Sequence, residues 1–223
     1  MCYLSEWQSI NSPFKGIVMT FSIMLAFVFS CVAFSFSPGA GAIATMSRSI
    51  EGGIVQARYN IMGLQLALLV HLTIVSVGLG SFVASSDVAF DFIKYIGGGY
   101  LIYLGVMKIK NSGNTVLRNT ETQGGKLKSL VNGFVVNITN PKSIVFLVAF
   151  LPQFVDGSDS GYQYIKLGFF IVLVDCIAML SYASFSHVLL RYLSESSHLK
   201  RLNLIFGAVF IMLAVMLLMS GRH

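Results

Sequence analysis

Charge is what this sequence has least of: only 11% of its 223 residues are Asp, Glu, Lys or Arg, against roughly 25% in soluble domains. Fifteen basic and nine acidic side chains cannot coat a body of 24.3 kDa, so a water-soluble surface is excluded. Cysteine is scarce too. Cys2, Cys31 and Cys176 have no metal or redox spacing, and two of them lie in apolar runs where they act as small hydrophobes. No Gly-x-Ser-x-Gly elbow, His-Glu-x-x-His motif, P-loop or pair of intramembrane aspartates occurs, which argues against an enzyme and against ATP as the energy source. The basic residues that give the net charge of +6 are scattered over short connecting segments. They form no stripe for nucleic acid.

What is present points to lipid as the solvent: 55% hydrophobic residues, 18 Phe and 10 Met, with a mean hydropathy of +0.77. A helix needs about 20 apolar residues to cross a ~30 Å hydrocarbon core. Six segments reach that length, at 16–37, 59–83, 88–107, 130–151, 167–190 and 202–220. They are too long and continuous for barrel strands, so an all-α integral membrane protein with six transmembrane helices is expected. The first run, with 22 uncharged residues and Glu6 ahead of it, reads as a retained helix rather than a signal peptide.

Three spans per half is an odd number, and the halves resemble each other. Ser37-Pro38-Gly39 interrupts the first span and Asn140-Pro141-Lys142 the fourth; each break is followed by apolar sequence closing on an acidic-glycine pair, Glu51-Gly52 and Asp156-Gly157. Two inverted three-helix repeats with broken helices one and four are therefore expected: 1–107, a cytoplasmic loop at 108–129, and 130–223. Paired breaks at matching positions of inverted halves point to a transporter site near the bilayer midplane.

Ionisable side chains deep in a span cost at least ~2.5 to 3.5 kcal/mol each and mark function. Three qualify here. Asp175 has eight uncharged residues before it and fifteen after, Lys142 sits between two uncharged thirteen-residue stretches, and His71 is the one ionisable group other than tyrosine in the second span. Helical spacing sets Gly168, Val172, Ala178, Met179, Tyr182 and Ser186 on the Asp175 face, and Ala67, Leu68, Ile74, Val75 and Gly78 on the His71 face. Pro38 and Pro141 open backbone groups. Gly39 and Gly41 permit close approach, Asn137 and Asn140 offer amides, and a restarted helix presents free N–H groups that favour a carboxylate. Asp175 would take an ammonium and Lys142, its expected ion-pair partner, a carboxylate. Such a site suits an amino acid, with protons exchanged at Asp175 or His71. No ligand spacing for a metal occurs among His71, His187 and Asp175, and no cofactor is called for.

The stretch 37–42 (SPGAGA), the run 94–105 (KYIGGGYLIYLG) and above all 137–154 (NITNPKSIVFLVAFLPQF) resemble the lysine exporter superfamily, and within it the homoserine and homoserine-lactone efflux branch. Many relatives read Pro-Gly-Pro at the first break where this chain has Pro38-Gly39-Ala40. The resemblance implies a secondary exporter in a bacterial inner membrane that moves homoserine, its lactone or threonine outward by proton antiport. Export of another amino acid or a cation, and a passive channel, are the alternatives, and a homo-oligomer is left open.

Orientation follows from where Lys and Arg fall along the chain. Arg48, Arg58, Lys108, Lys110, Arg118, Lys126, Lys128, Arg191, Lys200 and Arg201 fall on one face, against Lys15, Lys94, Lys166 and Arg222 on the other. The richer face is expected to be cytoplasmic and both termini external. Reporter fusions after residues 120 and 158 should then read cytoplasmic and external; the reverse pair of readings would invert the topology.

Overall fold

The computed structural model describes residues 21–79, 87–110, 125–155 and 160–219, and all the regular structure among them is helical. The elements are α1 (Phe21–Phe36), α2 (Ala40–Ile74) running into a π turn (Val75–Leu79), α3 (Asp87–Lys110), α4 (Lys126–Ile138), α5 (Pro141–Val145), α6 (Ser160–Ser184), α7 (Ser186–Ser194) and α8 (Ser196–Met219). A π turn at Phe146–Phe150 and a 3₁₀ turn at Leu151–Phe154 extend α5.

Both predicted breaks are present. Pro38 separates α1 from α2, and Pro141 starts α5 after α4 has ended at Thr139, with a 53° bend across the pair. Proline has no N–H to donate and its ring clashes with the carbonyl one turn back, so neither helix runs through. A third interruption lies at the first acidic-glycine pair, where Gly53 takes φ +72°, a left-handed conformation that glycine adopts without the clash a Cβ would bring. It divides α2 into an arm at 40–51 and a longer helix from 54 onward, several residues before the expected start at 59. The second such pair, at 156–157, lies outside the described residues, as does the end of the second span beyond Leu79.

Among the described residues, three stretches are long and apolar enough to cross a membrane by themselves: Ala40–Val77, Gly161–Ser184 and Ser197–Met219. The bent pair Lys126–Ile138 and Pro141–Phe154 makes a fourth. The described part of α1 is shorter, and α3 carries Asp87, Asp91, Lys94, Lys108 and Lys110. This is a multi-pass membrane architecture. One boundary is corrected. The fifth span was expected to reach residue 190, but its helix stops at Ser184, Phe185 leaves helical geometry (φ −101°, ψ 17°), and 186–194 form a separate short helix. That short helix carries His187 and Arg191 exposed on its surface, groups that do not belong in a hydrocarbon core.

Small residues set the closest crossings. A methyl group on Gly63 would run into Leu130 O, and one on Gly133 into Asn60 O, so α2 and α4 touch backbone to backbone. Gly105 and Gly207 do the same for α3 and α8: a methyl on either would lie 2.7 Å from the other's carbonyl oxygen. Close approach of this kind is how helices associate where lipid removes the hydrophobic drive. Aromatic packing fills the centre, with the Phe34 and Phe146 rings stacked 4.0 Å apart and Phe146 against Phe150 at 5.0 Å.

Gly133→Val should therefore force α4 off α2 and lower stability by roughly 1–3 kcal/mol, read as a drop of several degrees in the melting of detergent-purified protein. Gly99→Ala, which enters open space, should leave that temperature unchanged.

Candidate functional site

The end of α1 is where the chain's polar groups converge. A helix leaves its last carbonyls without internal partners, and here side chains from three other elements take them. Lys142 Nζ donates to Phe34 O (2.7 Å) and Ser37 O (2.8 Å). Tyr182 Oη donates to Phe36 O (2.6 Å), and Lys108 Nζ to Pro38 O (2.8 Å). The Lys142 ammonium also lies 4.5 Å from the centre of the Phe34 ring, a cation–π contact. Just beyond the break, α2 begins at Ala40, and its N-cap residue Gly39 offers no side-chain cap.

The second break is organised differently. Asn140 Oδ1 accepts from Lys142 N (3.1 Å) and caps α5, while the freed Ile138 carbonyl accepts from His71 Nε2 at 3.3 Å. Asn137 holds α4 to α2 by donating to Leu64 O (2.7 Å), and its own carbonyl oxygen accepts from Ser143 Oγ (2.7 Å). From α6, Asp175 Oδ2 accepts from Gln65 Nε2 of α2 (2.7 Å).

Among these groups lies a narrow pocket whose walls include Ser35, Ser37, Gly39, Gly41, Asn137, Asn140, Lys142 and Asp175, with Phe34, Leu64 and Met179 as its apolar part. The Ser37 hydroxyl and Gln65 Oε1 are buried without hydrogen-bond partners, while the Ser35 hydroxyl interacts with the Asp175 carboxylate. A buried polar atom left unmade costs about 1–3 kcal/mol, so the site has unused hydrogen-bonding capacity. Chemically its walls offer a carboxylate from Asp175, an ammonium from Lys142 and serine hydroxyls, beside a helix start with no side-chain cap.

Of the residues singled out from the sequence, Gly39, Gly41, Asn137, Asn140, Lys142 and Asp175 come together in these walls. Pro38 and Pro141 do not line them; they make the breaks. Asn137 has both ends of its amide engaged by the protein. His71 lies outside the pocket walls. Lys142 and Asp175 face one pocket, but the expected direct ion pair is not formed, because the ammonium is drawn onto the α1 carbonyls and the carboxylate onto Gln65. Met179 and Tyr182 fall on the Asp175 side as helical spacing placed them, whereas Ile74 on the His71 face is exposed where α2 gives way to the π turn. Gln65, Ser35, Ser143 and Lys108 were missed. Gln65 carried a readable signal as an amide within an otherwise apolar run; Lys108 carried none, since it looks like any lysine at a helix end. Among the described residues no group of three or more His, Cys, Asp or Glu gathers.

The family model described as LysE type translocator matches residues 32–221. A homoserine/homoserine lactone efflux protein of Salmonella typhi is 39% identical over 209 residues, covering 92% of this chain and 100% of its own length. An uncharacterized membrane protein of Vibrio cholerae is 36% identical, covering 86% and 94% respectively. A leucine efflux protein of an Enterobacter species is 28% identical over 78% of this chain and 84% of its own. No solved structure matches. Helix breaks lined with buried polar groups, on a chain matched over most of its length by these proteins, make it a transporter rather than an enzyme, and the chain belongs to the LysE type translocator family.

Proposed function

We propose that the protein exports a small hydroxylated amino acid, homoserine or its lactone or threonine, across a bacterial inner membrane by exchange with protons. The observation that carries this reading is the meeting of Asp175, Lys142 and the uncapped start of α2 in one pocket at the helix breaks. In this reading the substrate's ammonium takes Asp175 and its carboxylate takes the α2 amides and the free donor of Lys142. Gln65 holds the Asp175 carboxylate in place. The efflux proteins among the relatives act on homoserine and its lactone in one case and on leucine in another, by their names; the higher identity of the former and the hydroxyl-rich pocket favour a polar cargo.

Six spans in two inverted repeats supply the machinery. A pseudo-two-fold axis exchanging the halves would turn a contact between the first span of one half and the second span of the other into its counterpart, and would pair the two third spans. The contacts of α1 with α6, of α4 with α2 and of α3 with α8 follow that pattern. Alternating access is then one half rocking against the other around the pocket, with the Lys- and Arg-rich face cytoplasmic.

Proton coupling is assigned to Asp175. An ionised Asp175 holds the substrate ammonium; a proton that displaces it outside returns the empty carrier, so proton and substrate compete for one carboxylate. Asp175→Asn should lower gradient-driven export of homoserine from proteoliposomes by at least the roughly tenfold that a charge-assisted hydrogen bond of about 1.5–3 kcal/mol carries, and should flatten its dependence on pH. If the variant still concentrates substrate with the wild-type pH profile, the coupling group lies elsewhere, and His71 is the next to test. Currents without accumulation would instead identify a channel.

The breaks have their own test. Pro38→Ala and Pro141→Ala let a helix run through and hide the backbone groups at the pocket, so export should fall while membrane insertion persists. Normal export by both would remove the breaks from the binding site.

A further inference from the structure

We infer that the Lys142 ammonium is a tethered cation filling a cation site built by the end of α1, a site that a free monovalent cation would occupy if the side chain were removed. The Phe34 and Ser37 carbonyls point at one position and both accept from Nζ, at 2.7 and 2.8 Å. They carry the negative end of the α1 dipole. The Ser37 side chain also lines the pocket beside Lys142, its hydroxyl buried with no hydrogen-bond partner. The Phe34 and Phe210 rings, 4.5 and 5.9 Å from Nζ, turn their negative faces toward the charge. Carbonyls at the end of a broken helix are the groups that hold sodium ions in transporters of this general build. In this chain a side chain from the other break holds that place. The consequence is that the resting protein brings its own cation and needs none from solution, and that the ends of both broken helices are locked together by one charge.

The assignment is independent of which solute is carried, since its test reads folding. Full-length wild type, Lys142→Ala and Lys142→Met are purified in detergent and melted in sodium, lithium, ethylammonium and N-methylglucamine chlorides at equal ionic strength. Wild type should melt alike in all four. The variants should be destabilised in N-methylglucamine, a cation too large for the site, and regain stability in a saturable way with sodium, lithium or ethylammonium, by about 5–10 °C when the ion exceeds its dissociation constant a hundredfold. Lys142→Arg, which keeps a tethered charge, should lack the ion dependence. Equal melting of the Ala and Met variants in every salt, or their failure to fold in all four alike, overturns the assignment.

Discussion

The hydrogen bonds from Lys142 to the open carbonyls at the end of α1 are what make the two helix breaks tolerable in one molecule. Breaking a helix inside a membrane exposes backbone oxygens that lipid cannot solvate, and each left unsatisfied would cost several kcal/mol. Pro38 creates those oxygens, and Lys142, one residue past the other proline, covers two of them. Each break thus needs the other. The same ammonium is itself an expensive group to bury, and the carbonyls and aromatic rings around it are what make its burial tolerable.

Three elements converge on that one helix end: α5 through Lys142, α3 through Lys108 and α6 through Tyr182. Any displacement of α1 must therefore exchange hydrogen bonds with all three. Elsewhere the bundle is held by backbone contact, at Gly63 and Gly133 between α2 and α4 and at Gly105 and Gly207 between α3 and α8. Close glycine crossings thus flank a junction held by side-chain hydrogen bonds to backbone carbonyls. The unused hydrogen-bonding capacity of Ser37 and Gln65 lies in that centre.

Most of the candidate site was legible before any coordinates, because lipid makes polar residues conspicuous. Asp175 and Lys142 stood out as charges with long apolar flanks, and Pro38 and Pro141 as breaks at matching places. Gln65 was equally conspicuous to a search that included amides. Lys108 was not, since a lysine at a helix end has ordinary solvated uses, and Tyr182, though placed on the Asp175 face by helical spacing, gave no sign of the carbonyl it would reach. What sets them apart is the presence of a carbonyl within reach, and that carbonyl belongs to a residue 70 or more positions away.

The sequence by itself determined the solvent, the helical class, the two proline breaks and the scarcity of charge that makes Asp175 and Lys142 matter, since each is a property of composition or of local backbone chemistry. Tertiary structure alone decided who partners whom. Lys142 turns to the α1 carbonyls and away from Asp175, Asp175 takes the Gln65 amide, His71 goes to Ile138 O, and α6 stops at Ser184. The reason is distance. A buried charge accepts whichever complementary group the packing brings within about 3 Å, and that depends on how closely glycines let separate helices approach, which no run of neighbouring residues encodes.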